Sequence, residues 1–187
     1  HACLFAPGTS TSPTNPTPGT ALPNSGFNAS LQPNAAKSFS ASAAVEGIRT
    51  FNGNGTGTVK GRSVSLAVPP TPGPSGSGYP TFPPSASSDD FSFSFTYTVN
   101  GDGSFTTQMT PGSYVGSVVA GPRAGQTYTI DMLPPQTGMI GVDGRDLVVA
   151  NVDAAVETVS YSNGDVWPRI CNRSRVLVRV QNDRDRD

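Results

Sequence analysis

The sequence predicts an all-β protein, and two observations lead to that fold class. After residue 50, apolar and polar side chains alternate with a period of two, which is the spacing of a strand with one buried face. The alternating segments are short, and Gly, Asn, Asp or Pro separates them about every 8–12 residues. We therefore predict an antiparallel meander that closes into a barrel, with a β-sandwich as the alternative, because both arrangements protect sheet edges.

Residues 1–43 form a low-complexity segment of Pro, Ser, Thr, Asn and Ala that precedes the predicted domain. Its prolines lack a backbone N–H and exclude regular strand ladders, so we predict an extended N-terminal strap. Ala41–Glu46 is the one short helical candidate in the chain. The predicted organisation is a strap over residues 1–43, a β-barrel domain over 44–181 and a charged C-terminal tail over 182–187.

The predicted domain opens with two strands, Gly55–Lys60 and Ser63–Val68, which a turn at Lys60-Gly61 joins. Both segments alternate apolar and polar side chains, and the glycine between them is a residue that turns favour. A Pro-rich excursion over Pro69–Pro84 follows, and we expect it to be a long surface loop between strands.

Phe91–Val99 is the clearest strand, since aromatic and aliphatic side chains occupy one face and small hydroxyl side chains the other. The residues Asn100-Gly101-Asp102-Gly103 tolerate positive φ and predict a hairpin into Ser104–Met109. The aromatic face would line the interior of a barrel and consists of Phe91, Phe93, Phe95 and Tyr97.

The later candidate strands show the same alternation and are joined by turns at Gly121-Pro122, Asp143-Gly144 and Asn163-Gly164. Nearly every connection is short enough for a hairpin between neighbours, which favours a barrel, because a sandwich needs longer crossovers. These candidates are Tyr114–Ala120, Thr127–Met132, Gly138–Val142, Leu147–Asn151, Ala155–Tyr161 and Val176–Gln181.

Cys3 and Cys171 are the two cysteines and lie towards opposite ends of the chain. An even number in a Ser/Thr-rich chain favours one disulfide in an oxidising compartment, with two free thiols as the alternative. The numbering begins at His1 without an initiator Met, which we interpret as removal of a signal peptide. We therefore expect an extracytoplasmic protein, whether secreted, on the cell surface or periplasmic, whose disulfide joins the strap to the barrel.

Composition argues against several classes of function. Lys and Arg number 12 and Asp and Glu number 13, so the basic excess of a nucleic-acid-binding protein is absent. No stretch approaches the roughly 18 apolar residues of a transmembrane segment. His1 is the only histidine, which argues against zinc sites with three histidines and against Ser-His-Asp nucleophiles. We predict no metal, no cofactor and no catalytic residues.

Charged residues in predicted strands are the remaining candidates. Glu157 lies inside a strand and Asp131 near the end of one; each is solvent-facing or ion-paired, or else points inward as an acid or base. The last strand alternates arginines with valines, and we expect the valines to fill the interior with the arginines outside. The reverse register would give an anion-binding interior. The arginines are Arg173, Arg175 and Arg179, and the valines are Val176, Val178 and Val180.

Three segments resemble small secreted β-barrel proteins of proteobacteria, which are generally uncharacterised and lipocalin-like in architecture. They are Tyr97–Phe105 (YTVNGDGSF), Gly125–Asp131 (GQTYTID) and Arg169–Arg175 (RICNRSR). The resemblance covers roughly residues 90–180 and rests mostly on hairpin residues. It implies a barrel and an extracytoplasmic location, and it brings no catalytic residues.

Three hypotheses for function follow. The first is a non-enzymatic secreted or cell-surface protein that acts in assembly or adhesion. One form of this hypothesis is a subunit of an extracellular polymer that self-associates through the strap. The second is a lipocalin-like binder of an apolar small molecule. The third is a cofactor-free barrel cyclase or isomerase that uses Glu157 or Asp131 with an inward arginine. The candidate ligand-binding residues are Phe91, Phe93, Phe95, Tyr97, Glu157 and Arg175.

Overall fold

The computed structural model describes residues 2–5, 39–68, 85–151, 153 and 155–180. These residues form twelve strands and no helix, and all pairings are antiparallel, which confirms the predicted all-β class. The strands are β1 (Ala2–Phe5), β2 (Phe39–Phe51), β3 (Thr56–Val68), β4 (Ser85–Val99), β5 (Ser104–Met109), β6 (Tyr114–Ala120), β7 (Thr127–Ile130), β8 (Gln136–Ile140), β9 (Asp146–Asn151), β10 (Val156–Tyr161), β11 (Val166–Asn172) and β12 (Ser174–Val178).

Several predictions lie outside the described residues. They concern His1, most of the strap, the Pro69–Pro84 loop and the charged tail over 182–187. Within the described part of the chain, no helix is long and apolar enough to cross a membrane.

Eight strands form a circuit of paired neighbours, which we call the ring. The pairings run from β4 through β3, β2, β1, β11, β10 and β7 to β6, and β6 pairs with β4 again. β1 joins the ring between β2 and β11. The sheet therefore includes residues 2–5 of the predicted strap, and β2 begins at Phe39, before the predicted domain boundary at residue 44.

The other four strands form a branch of the same sheet in the order β5-β8-β9-β12. The branch starts on β4, which pairs with β6 over Ser88–Ser92 and with β5 over Phe95–Val99. A circuit of pairings is what a barrel requires, whereas an open sheet with a free edge is typical of a sandwich layer. The sheet has both features, and the choice between barrel and sandwich stays a prediction.

The strand order differs from that of an up-and-down meander, because the chain passes repeatedly between ring and branch. β6 and β7 lie in the ring, β8 and β9 in the branch, β10 and β11 in the ring and β12 in the branch. Short links at 110–113, 131–135, 152–155 and 173 therefore join strands that are not neighbours. The predicted hairpin into Ser104–Met109 is confirmed, with Asn100 N–H donating to the Ser104 carbonyl at 2.9 Å.

Two predictions of individual elements are wrong, and one strand was not predicted. Lys60-Gly61 is not a turn but lies inside β3, where Gly61 faces Gly47 of β2 and the two backbones approach closely. Ala41–Glu46 belongs to β2 and is not a helix, since its alternation of Ala and Ser suits a strand. β11 was not among the predicted strands, because Trp167-Pro168 interrupts its alternation of apolar and polar residues.

Aromatic side chains in the ring lie over glycines of the neighbouring strand. Phe95 faces Gly57 across the β4–β3 pairing, and Tyr128 faces Gly116 across the β7–β6 pairing. A Cβ atom added at Gly57 or Gly116 would overlap the facing aromatic ring. These glycines therefore make room for large side chains that bury about 150–250 Å² each.

The pairing of β1 with β11 places Cys3 directly opposite Cys171. Directly opposite Cα atoms in an antiparallel pair are about 4.5–5.5 Å apart, which lies within the range of a disulfide. Cys171 is 1% exposed, and the described residues include no free cysteine. The register thus brings together the two residues that the sequence predicts to be bonded.

Candidate functional site

The aromatic residues predicted to line a cavity lie on the inner face of β4 and pack against other rings. Phe91, Phe93 and Phe95 are 8%, 6% and 1% exposed. Tyr97 is partly buried against the same cluster. The rings of Phe91 and Phe93 stack on Tyr114 at centroid distances of 5.8 and 5.5 Å. The face is therefore part of a packed core, in which such ring pairs contribute about 0.5–1.5 kcal/mol beyond area burial.

The stack continues as a ladder of aromatic rings from β6 to β11. Tyr114 contacts Tyr128 at a centroid distance of 5.9 Å, and Tyr128 contacts Tyr161 at 5.5 Å. Tyr161 then contacts Trp167 at 6.4 Å. The guanidinium carbon of Arg123 lies 4.7 Å from the Tyr161 ring and 4.2 Å from the Trp167 ring. A cation thus covers the end of the ladder, an arrangement that the negative ring faces favour.

A buried ion cluster lies beside the ladder. Glu157 of β10 is 0% exposed, and its register partner is Arg169 of β11. Arg169 Nε donates to Glu157 Oε2 at 2.9 Å. Arg173 donates to both carboxylate oxygens, from Nη2 to Oε2 at 2.6 Å and from Nη1 to Oε1. One carboxylate therefore holds two guanidinium groups through charge-assisted hydrogen bonds.

Charge pairing keeps Glu157 ionised inside the protein. Burial on its own would raise the pKa of this carboxyl group, but attraction by Arg173 and Arg169 and their hydrogen bonds outweigh burial and lower the pKa. Burial on its own would lower the pKa of Arg169, but attraction by Glu157 and the hydrogen bond between them help to outweigh burial, and the pKa is raised. Buried charges are tolerated when they are paired and hydrogen-bonded, so the cluster forms one structural unit.

The predicted orientation of the C-terminal arginines is wrong. Arg173 is 4% exposed, whereas Val176 and Val178 are 70% and 68% exposed. The prediction took side-chain polarity alone to decide burial, but Glu157 supplies a counter-charge that allows an arginine to face inward. Asn151 also fixes the backbone of Arg173, which connects β11 to β12, because its Oδ1 accepts a hydrogen bond from the Arg173 N–H at 2.5 Å.

Two further arginines, Arg49 of β2 and Arg175 of β12, add positive charge near this cluster. Burial lowers the pKa of each to about 10, and repulsion by Arg173 and Arg49 adds to the shift at Arg175. Arg49 lies over the Phe95 ring at 4.9 Å, and its Nη2 is 3.4 Å from Gln136 Oε1 of β8. These contacts join the ring to the branch.

Only one of the two carboxylates that the sequence singled out faces the interior. Asp131 is exposed in the link between β7 and β8, so the structure does not bring it together with Glu157. Asp89 of β4, which the sequence analysis did not single out, is partly buried and accepts from Ser63 Oγ at 3.3 Å. Burial raises the pKa of Asp89, while the hydrogen bond from Ser63 and the charge of Arg169 oppose that shift.

Apolar side chains face solvent on the outer face of the branch near β12. Met139 of β8, Val148 of β9 and Val176 of β12 are register partners in one row and are 54%, 54% and 70% exposed. Val178 and Val180 are 68% and 82% exposed. We call these five residues the apolar edge surface. Exposed apolar groups at a sheet edge are typical of interaction sites.

The sequence contains a local signal for the ion cluster. Glu157 stands at an inward position of an apolar strand, where a carboxylate needs a counter-charge. Arg169 follows 12 residues later and Arg173 follows 16 residues later. A hairpin over this span places Arg169 opposite Glu157. The position of Arg173 depends in addition on how the chain passes from β11 to β12.

The described residues contain no group of three or more His, Cys, Asp or Glu side chains placed to hold a metal ion. No protein-family model, curated protein or solved structure matches this chain.

Proposed function

We propose that this chain is a non-enzymatic secreted or cell-surface protein that acts in assembly or adhesion through the apolar edge surface. The observation that carries the proposal is the row of Met139, Val148 and Val176, three neighbouring apolar side chains that are each more than half exposed. Exposed apolar area costs about 25 cal/mol per Å². A partner that covers the row would recover that free energy.

The packing of the interior favours a function at the surface of the molecule. It disfavours a ligand-binding or catalytic site inside the sheet. Phe91 and Phe93 stack on each other and on Tyr114, and Phe95 contacts the rings of Phe51 and Tyr97. A lipocalin-like site requires open space instead. Glu157 is 0% exposed and both its oxygens accept from arginines. An acid or base must come within hydrogen-bond reach of its substrate, and this carboxylate is occupied by the protein itself.

We also propose a disulfide between Cys3 and Cys171 and an extracytoplasmic location. The register that places these residues opposite each other supports the disulfide, and such bonds persist in oxidising compartments. The bond would tie β1 to β11 within the ring. Self-association through the strap stays a prediction, because residues 6–38 lie outside the described part of the chain.

Two lysine substitutions test the proposal, one within the row of exposed apolar residues and one elsewhere on the surface. Val148→Lys alters the row, and Val115→Lys alters the outer face of β6, where the valine is 51% exposed against 54% for Val148. We expect Val148→Lys to lose most of the self-association or adhesion of the wild-type protein and Val115→Lys to retain it. Light scattering during size-exclusion chromatography measures the first property, and retention on a phenyl-coated surface measures the second.

Circular dichroism serves as the folding control for both variants, since each replaced side chain is exposed. Equal binding by the two variants would contradict the proposal. A wild-type protein that is monomeric at all concentrations and is not retained on the surface would contradict it as well.

A further inference from the structure

Arg49 of β2 is a mostly buried cation whose ring contact and hydrogen bond are both with neutral groups. Its guanidinium carbon lies 4.9 Å from the centre of the Phe95 ring, and Phe95 is 1% exposed. Its Nη2 is 3.4 Å from Gln136 Oε1, and Gln136 is 8% exposed. Within the described residues, Arg49 forms no ion pair. An aromatic ring and an amide therefore surround this positive charge without neutralising it.

One nitrogen of the same guanidinium group lacks an acceptor. Arg49 Nη1 is buried and makes no hydrogen bond within the described part of the chain. Arginine has five N–H donors and no acceptor, so only an electron-rich atom or an anion can satisfy this group. Most buried polar groups are hydrogen-bonded, and a donor on a charged group is especially costly to leave unmatched. The position of Nη1 therefore indicates an acceptor from outside the described residues.

Glu157 is the nearby buried carboxylate, and other arginines already occupy it. Its Oε1 accepts from Arg173, and its Oε2 accepts from both Arg173 and Arg169. One negative charge thus serves two guanidinium groups. Glu157 therefore has no negative charge left over for Arg49.

The registers of the branch place Arg175 on the face that Arg49 approaches. Gln136 pairs with Asn151, and Val149, two residues before Asn151, pairs with Arg175. Directly opposite residues share a face of a sheet, as do residues two apart, so Gln136 and Arg175 lie on one face. Burial is the main cause that lowers the pKa of Arg175, and repulsion by Arg49 adds to the shift. Positive charge from β2 and from β12 thus meets between the ring and the branch.

We propose that a small inorganic anion of the halide class, such as chloride, binds at Arg49 Nη1 between β2 of the ring and the inner face of the branch. The ion accepts the unmatched hydrogen bond and supplies the counter-charge that a neutral water molecule lacks. A monatomic ion needs less room than an oxyanion or an organic acid, which suits a donor that packing closes off from solvent.

The bound ion is a structural component that leaves the aromatic core packed. It differs in this way from a lipocalin-like ligand, which needs an open cavity. Because Arg49 contacts Gln136 of β8, the ion would stabilise the contact between ring and branch. The surface function proposed above does not depend on it.

A chloride titration of the unfolding equilibrium tests the site. Chloride is exchanged for gluconate at constant sodium concentration, because gluconate has the same charge and is too large for an enclosed site. An ion that binds only the folded protein raises the folding equilibrium constant by one plus the ratio of its concentration to its Kd. At about ten times Kd we expect an increase of about elevenfold, and each further tenfold step should add about tenfold. Urea denaturation at each salt composition measures the constant.

Arg49→Met should abolish the chloride response, because methionine keeps an apolar chain over Phe95 and has no N–H donor. Arg62→Met is the matched control on the neighbouring strand β3, since the Arg62 side chain is 50% exposed and already paired with Asp90. This variant should respond to chloride as the wild type does.

Three results of the titration would overturn the inference. The first is a wild-type protein that is equally stable in chloride and gluconate, as a water molecule or a carboxylate from elsewhere in the chain would produce. The second is an Arg49→Met variant that keeps the full response. The third is an equal loss of response in Arg49→Met and Arg62→Met, which would indicate a general salt effect.

Bromide locates the ion in the unaltered protein, so the inference can be tested even if Arg49→Met does not fold. Bromide should stabilise the wild type as chloride does, and its anomalous scattering identifies it in a crystal. We expect an anomalous peak within hydrogen-bonding distance of Arg49 Nη1. Peaks at exposed arginines alone, or no peak, would overturn the inference. Self-association and adhesion are tested separately by Val148→Lys, so the proposed function would stand.

Discussion

Glu157 is the residue on which the charge balance of the interior depends. Its carboxylate is the common partner of Arg169 and Arg173, and Arg173 is only 4% exposed. Loss of the carboxylate would leave two guanidinium groups without their shared counter-ion. Breaking a buried ion pair by removing one partner is far more costly than replacing the whole cluster by apolar side chains.

We expect Glu157→Gln to lower the free energy of unfolding by about 3–5 kcal/mol at neutral pH. The amide keeps the size of the side chain and removes its charge, so the loss reports the ion cluster. Urea denaturation measures the effect. Asp90→Asn is the control, because it breaks the ion pair with Arg62 at the surface, where both side chains are about half exposed. That variant should be close to the wild type.

The difference between wild type and Glu157→Gln should itself depend on pH. The pKa of Glu157 is lower in the folded protein, so its contribution is complete above the unfolded pKa of about 4.3 and is lost as the pH falls through the folded pKa. The two proteins should therefore converge in stability in acid. A difference that stays constant from neutral pH to acid would contradict the assignment of the effect to the ionised carboxylate.

β4 is the element that organises the sheet. Its 15 residues are long enough to pair with β6 along the first part and with β5 along the last part, so the ring and the branch meet on one strand. The same strand carries Phe91, Phe93 and Phe95 into the core. Glycines opposite aromatic side chains let neighbouring strands accommodate such rings.

Gly116→Ala should destabilise the protein by about 1–3 kcal/mol, the usual cost of overpacking. Its Cβ would overlap the Tyr128 ring on the neighbouring strand, and Tyr128 also contacts Tyr114 and Tyr161. Thermal unfolding measures the loss. Gly101→Ala is the control, because a Cβ there has no neighbour within 4 Å and its φ is not positive. If both variants unfold at the same temperature, the close contact between Gly116 and the Tyr128 ring does not contribute to stability as we propose.

Individual strands differ in how far the sequence predicted them. Ser104–Met109 and Tyr114–Ala120 have the predicted bounds, because turn residues flank both segments. β3 continues through Lys60-Gly61 because Gly47 lies opposite, and a long-range partner of this kind leaves no local signal. β1 and β2 begin before residue 50, where the abundance of Ala, Ser and Pro masks the period of two in the sequence. The position of β1 also depends on its pairing with β11.

For the whole molecule, closure of the ring depends on a short strand. β1 has 4 residues and joins β2 to β11, and the proposed bond between Cys3 and Cys171 crosses the β1–β11 pairing. Reduction should therefore act on the ring at this point and leave the other pairings in place.

We expect reduction, or Cys3→Ser, to destabilise the protein by up to about 5 kcal/mol, the chain-entropy figure for a loop of this length. The far-UV signal of strands should largely persist at 25 °C, because the aromatic ladder and the Glu157 cluster do not include β1. Circular dichroism with and without reductant measures both effects. Loss of the entire strand signal would mean that the core depends on the disulfide, and an unchanged melting temperature would mean that no disulfide is present.

The sequence by itself determined the all-β class, most strands after residue 90 and the aromatic face of β4. These features follow from a period of two and from turn residues, which are local and can be read without a partner. Only the tertiary structure shows that β4 pairs with both β6 and β5. Only the tertiary structure shows, too, that Arg173 faces the interior while the valines of β12 face solvent. Each of these features depends on which strand is the neighbour of β4, β11 or β12 in the sheet. Arg173 faces inward because Glu157, 16 residues earlier, meets it across the interior, and alternation by itself does not specify which face of a strand is buried.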